Sequence, residues 1–280
     1  MNTKKLVYSI LSTVMFISGA VLLLYFFWAN GYIDMPVPAQ TEDTEDFTYP
    51  SLPSEITTRT SKSSAASGEG TGEGTGEGTA ETKPGSQFVN NINFDELKKT
   101  NKEIIGWIQM VKPEVNAPVL MSNSDDDFYL SHGPNKKYNK RGSFYIEKSF
   151  NEPDFNDPVT IIYGHRKADG SMFGSLQKTL EKIDISAQPQ YVVIYLPNST
   201  KIYHVIATIR HDSHHVLFYN DFSKKKEYDK FFNMVYSSKG SGVQLVEGEK
   251  PVFGDKVLIL STCFKADRSN RYLVIAKELK

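Results

Sequence analysis

Two short apolar runs near the C-terminus, Val257–Cys263 and Arg271–Ala276, constrain the fold more than any other stretch. Both are rich in Val, Ile and Leu and read as strands. Paired as a hairpin, the end of the first lies beside the start of the second. Cys263 and Arg271 then share one rim of a sheet, with residues 264–270 looping above them. A thiol becomes a nucleophile when a cationic or basic neighbour favours its thiolate. A lone cysteine is most often a buried, inert small hydrophobe. This one, the single Cys of the chain, instead follows Ser261 and Thr262 and precedes a loop with Lys265, Asp267 and Arg268. Such a polar strand end suits chemistry better than packing.

One cysteine forbids an internal disulfide, so a folded domain must rest on its hydrophobic core. The net charge is −1, unevenly spread: residues 41–82 hold nine acids and two bases. No basic stretch alternates with aromatics, which argues against a nucleic-acid partner.

Residues 1–5 are short and basic, and residues 6–28 are apolar and uncharged. Those twenty-three residues are long enough to cross a bilayer core of about 30 Å. Lys4 and Lys5 before the run and Asp34 after it predict a cytoplasmic N-terminus, with the rest of the chain outside. The run exceeds the usual apolar core of a cleaved signal peptide, so an uncleaved anchor is expected. Residues 29–87 are rich in Gly, Glu, Thr, Ser and Pro and include GEGT repeats, the composition of a flexible tether.

The folded domain is expected over 88–280. Phe94, Leu97, Ile104, Ile105 and Trp107 suggest a short amphipathic helix with a turn at Gly106, and Ala117–Met121 and Gly142–Ile146 suggest strands. Asp125–Asp127 reads as a solvated loop or helix cap. Val159–Tyr163 is a clear strand, followed by Gly164, His165 and a helix over Met172–Ile183. His165 therefore also stands at a strand end. Tyr191–Leu196 and Lys201–Arg210 read as a hairpin. His211, Asp212, His214 and His215 crowd the next loop, at spacings that match no closed zinc site. Tyr228, Phe231, Phe232, Val235 and Tyr236 mark the apolar face of a helix over Ser223–Ser238, with Ser223 as its N-cap.

The order histidine, cysteine, arginine is unlike papain-type proteases. It resembles the sortases, class B most closely. Leu260-Ser-Thr-Cys263 is similar to the Thr-Leu-x-Thr-Cys signature, with Ile259 where the first Thr usually stands. Ile161-Ile-Tyr-Gly-His165, followed by Asp169-Gly-Ser-Met-Phe-Gly174, resembles the class B histidine motif. Asn101–Ile108, Gly142–Glu147 and the long helix before the last strands fit the same pattern. The resemblance covers 88–280. It implies a mainly β fold: a closed eight-stranded sortase-type β-barrel with appended helices, preceded here by one transmembrane helix and a flexible linker.

It further implies a membrane-anchored cysteine transpeptidase of Gram-positive bacteria that needs no cofactor and no metal. Such an enzyme cleaves a C-terminal sorting signal, of an Asn-Pro-x-Thr kind, from surface proteins. It then passes the acyl group to an amine of the peptidoglycan precursor or, in a pilin polymerase, to a pilin lysine. By motif position Cys263 is the nucleophile, His165 the general acid/base and Arg271 the oxyanion or substrate stabiliser, with Arg268 its rival. Ser261 and Thr262 fall on substrate-lining positions. Phe264 and Lys265 stand where class B members often carry an acid, so no acidic third member is assigned. The alternative from another class is a surface-tethered binding domain in which Cys263 is inert.

Overall fold

The computed structural model describes residues 90–265, 267 and 269–279. The expected anchor, the linker and Arg268 lie outside the described residues. Among the described residues, no helix is long and apolar enough to cross a membrane.

Among the described residues, nine strands follow in chain order: β1 Ile104–Met110, β2 Val115–Leu120, β3 Phe144–Tyr145, β4 Val159–Tyr163, β5 Tyr191–Leu196, β6 Ser199–His211, β7 Gln244–Leu245, β8 Val257–Cys263 and β9 Arg271–Glu278. Eight of them close on themselves in the order β5-β1-β2-β3-β4-β8-β9-β6, the ring completed by β5 against β6. β7 adds a short rung to the upper half of β6. Closure leaves the ring without a terminal edge strand, although β3 covers β4 only at Tyr163. The eight-stranded barrel expected from the sequence is present.

Alternation along each strand sorts side chains into an interior and an exterior. The interior holds Ile108, Val119, Phe144, Ile162, Leu258, Leu260, Tyr272 and Val274. The exterior is covered in two places. Helix α1 (Phe94–Thr100) lays Phe94 and Leu97 over Trp107, Leu120 and Tyr145. Helix α2 (Gly174–Leu180) follows β4 and sends Leu176 and Leu180 into the interior cluster. A single turn, α3 (Val216–Tyr219), precedes the long helix α4 (Lys225–Ser237). The aromatic stripe Tyr228, Phe231, Phe232 and Val235 of α4 is buried over Val257, Ile259, Leu273 and Ile275. Full burial of such side chains contributes about 1.5–3 kcal/mol each, which is what fixes α4 against β8 and β9.

Three local readings of the sequence are corrected. Ile104, Ile105 and Trp107 do not extend the first helix; they begin β1, and Gly106 sits at a register shift within it rather than in a turn. Ser223 does not cap α4: its hydroxyl donates to Asp221, and Lys224 occupies the cap position without a side-chain bond. The helix expected over Met172–Ile183 is confined to α2, because Met172 has a left-handed φ of 55° that no helix can include.

Candidate active site

The site grows from the odd-numbered residues of β8. Val257 and Ile259 face outward under α4, but the helix stops short of Ser261 and Cys263. Their side of the barrel opens into a cavity of about 450 Å3. Cys263 pairs in register with Arg271 across the β8–β9 hairpin, so thiol and guanidinium leave the sheet side by side. On the other flank β4 runs parallel to β8, with Tyr163 opposite Ser261, and the ladder continues through Gly164 N–H to the Ser261 carbonyl at 3.2 Å. Two residues on, His165 comes level with Cys263. The same parity brings Tyr145 and Glu147 from β3 and the turn after it to this face. His165, Ser261, Cys263 and Arg271 all line the cavity, with Tyr145, Glu147 and Tyr163. A larger cavity of about 690 Å3, bordered by Pro113, Arg141, Asp169 and Met172, has no thiol or imidazole in its lining.

Gly164 is required by close approach rather than by its backbone angles. A Cβ there would lie 2.7 Å from the rings of Phe144 and Phe173, both buried. The glycine lets β4 pass over these rings and turn His165 outward. The imidazole is held from the far side: its Nε2 lies 2.8 Å from the Leu130 carbonyl, at the end of a 3-10 turn Phe128–Leu130. A carbonyl only accepts, so Nε2 carries the proton in this contact and Nδ1 of the neutral ring is left as the basic nitrogen. The 3-10 turn is tied down in its turn. The Tyr129 hydroxyl donates to Glu103 at 2.6 Å and accepts from Asn101 at 2.7 Å. Burial raises the Glu103 pKa, but the bonds from Tyr129, Lys136 and Asn123 outweigh it and hold the carboxyl below its ordinary value.

Cys263 is partly exposed, as an attacking thiol must be. Ser261 faces the cavity. Thr262 alternates to the inner side with Leu260 and Phe264, its hydroxyl is buried, and it borders the cavity alongside its neighbours. Asp267, the nearest described acid after the cysteine, pairs with Arg210 at 3.1 Å. The histidine cluster separates: His211 and His214 turn to Asp212, whereas His215 Nε2 reaches Glu147 Oε2 at 2.8 Å. Among the described residues, no three His, Cys, Asp or Glu side chains converge as metal ligands would. Asp125 accepts the Asp127 N–H at the approach to the 3-10 turn, and Asp126 accepts the Ser149 N–H from the turn after β3.

Sequence reading missed Leu130, Tyr163, Glu147 and His215 as parts of this site. Alternation from Tyr145 would have put Glu147 on the reactive face. Leu130 and His215 arrive on irregular segments that carry no periodic signal.

No family model matches the chain. It is 38% identical over 96 residues to Sortase B of Listeria monocytogenes, a stretch that spans 34% of this chain and 38% of that protein. It is 27% identical over 194 residues to Sortase B of Staphylococcus aureus, covering 67% of this chain and 75% of that one. The crystal structure of Clostridium perfringens sortase B superposes with a TM-score of 0.58 at 24% identity, over 67% of this chain and 100% of that one, which shows the shared fold. Likeness that runs through two thirds of the sequence, together with the same barrel, makes the chain a homologue of the class B sortases.

Proposed function

We propose that this protein is a cysteine transpeptidase in which Cys263 is the nucleophile, His165 the general acid/base and Arg271 the stabiliser of the oxyanion. The observation that carries the reading is the strand register: Cys263 opposite Arg271 on one side, and β4 delivering His165 level with it on the other.

The Cys263 thiol gives its proton to Nδ1 of His165, and the thiolate attacks the scissile carbonyl carbon of a sorting peptide, whose oxygen takes the negative charge. Arg271 meets that charge and cannot lose its own proton at any working pH. As the C–N bond breaks, the leaving amine takes a proton from His165, and an acyl-thioester remains on sulfur. An incoming amine then attacks the thioester, gives its proton to His165 and releases the thiolate, so the enzyme ends as it began. The Leu130 carbonyl supports this cycle by engaging Nε2, which leaves Nδ1 to gain and lose the proton.

The substrates are surface proteins with a C-terminal Asn-Pro-x-Thr-like signal, and the acceptor is an amine of the peptidoglycan precursor. The protein is tethered to the cell membrane by its apolar N-terminal run, with the catalytic domain outside. Mass spectrometry of the chain incubated with a sorting-peptide library and candidate amines tests the reading. A thioester mass on Cys263, lost in Cys263→Ala, is expected, and a lysine-containing pilin peptide as the sole accepted amine would redirect it to pilus assembly. Ligation retained by Cys263→Ala would refute it, as would a Cys263 that resists thiol reagents in the folded protein.

A further inference from the structure

The cavity has two kinds of wall. One is the rigid barrel face that carries Tyr145, Tyr163, His165, Ser261 and Cys263. The other is the irregular segment after β6, from which Ser213, His214, His215 and Val216 line the space. Among the described residues, the hydrogen bonds of residues 212–219 stay within the segment or reach its immediate sequence neighbours, with one exception. That exception is His215 Nε2 to Glu147 Oε2 at 2.8 Å.

Both ends of this contact are specific. Glu147 is only 6% exposed, a poor place for a carboxylate unless it is hydrogen-bonded. Burial raises its pKa, and the bond from His215 works against that rise. The His215 Nδ1 accepts the Phe218 N–H at 3.0 Å, taking the N-cap role usually filled by Ser, Asp or Asn. An imidazole accepting at Nδ1 must carry its proton at Nε2, which is the one donated to Glu147. The ring thus joins α3 to the barrel through its two nitrogens at once. Phe150 packs on the same imidazole at 4.8 Å between ring centroids. Val216 is buried behind it, while Phe218 and Tyr219 stand out into solvent.

We propose that Glu147 and His215 form a positioning pair that fixes the wall of the peptide-binding cavity formed after β6, and so governs substrate affinity rather than the chemical step. The inference rests on the transpeptidase reading above. Neither residue is a reacting group: the pair acts by holding Ser213–Val216 where a peptide lying over Cys263 must pass.

The test is a double-mutant cycle on the full chain, with Glu147→Ala, His215→Ala and the pair together, read as KM and kcat for a sorting peptide. A hydrogen bond to a charged group is strong enough for each single change to raise KM about tenfold. kcat should change by less than about threefold. The double variant should be no worse than His215→Ala alone, because both single changes remove the same tie and only the histidine also caps α3. Glu147→Gln, whose amide oxygen still accepts from Nε2, should restore most of the affinity. Hydrogen exchange at the Phe218 amide reads the tie without turnover, and Glu147→Ala should speed it. KM losses that multiply in the double variant, an unchanged KM in folded variants, or unchanged Phe218 exchange in Glu147→Ala would overturn the proposal. A wild-type protein that forms no thioester would overturn the transpeptidase reading itself, whatever the exchange data show.

Discussion

Asn151 offers a sharp test of what holds the histidine strand in place. β4 pairs along its whole length with β8, but β3 reaches it only at Tyr163. Over Val159 and Ile161 its other edge is met by one side chain. Asn151 Nδ2 donates to the Val159 carbonyl at 2.8 Å, and its Oδ1 accepts the Ile161 N–H at 3.1 Å. Nδ2 also reaches Asp157 at 3.2 Å. Asn151 is 3% exposed, and Val159 and Ile161 are as deeply buried, so water cannot easily replace these bonds. Asn151→Ala orphans one buried carbonyl and one buried N–H, at about 1–3 kcal/mol each. The sum, about 2–5 kcal/mol after partial relaxation, corresponds to a fall in Tm on the order of 5–15 °C for a domain of this size. Asn151→Asp separates hydrogen bonding from lost volume. It is isosteric, yet it sets a carboxylate oxygen against both the Val159 carbonyl and Asp157, and the fall should be at least as large. Calorimetry or near-UV circular dichroism of the three proteins supplies the measurement. If both variants melt within about 2 °C of the wild type, the edge of β4 is satisfied by something else and the reasoning fails.

Three further outcomes follow from the same geometry. Gly164→Ala should destabilise by about 1–3 kcal/mol, because its Cβ strikes two buried rings, and should also lower kcat by displacing His165; a variant as stable and active as the wild type would show that Phe144 and Phe173 can yield. Arg271→Ala should cut transpeptidation about 10²–10³-fold while leaving the melting curve near that of the wild type; ligation kinetics beside a thermal scan check this. Glu103→Gln should lower Tm at neutral pH. The folded pKa of Glu103 lies below its ordinary value, so its contribution is present above about 4.5 and fades as pH falls through the folded value; the gap between wild type and variant should close on acidification, and a constant gap would refute the assignment.

Much of this architecture is legible in the chain because it is local. β8 opens with a continuous apolar run that turns polar at Ser261, β4 is an apolar run broken only by Thr160, and the β5–β6 hairpin is marked by Pro197 and Asn198. Each leaves a signal in a few consecutive residues, and so do Cys263 and His165 at their strand ends. β1 is misread because it is buried on both faces: Ile104, Trp107 and Ile108 are fully enclosed, and such a strand has no alternation to distinguish it from a helix. The cap of α4 is misread because Asp221 competes for the Ser223 hydroxyl. The tie between Glu147 and His215 is illegible for a different reason. It joins the turn after β3 to the segment after β6, and nothing in either stretch reveals the other until the barrel has closed.

The parallel partnership of β4 and β8 has a consequence for how the protein comes alive. The sulfur and its guanidinium neighbour share a hairpin and can find each other early. The imidazole belongs to a strand that must cross a long stretch of chain to join them, and pairings of that kind are slow to form. A half-folded molecule with only that hairpin formed therefore carries the thiol and guanidinium of the proposed centre without the imidazole. In the proposed transpeptidase, that order would keep the sulfur apart from its proton carrier until the distant strand had docked.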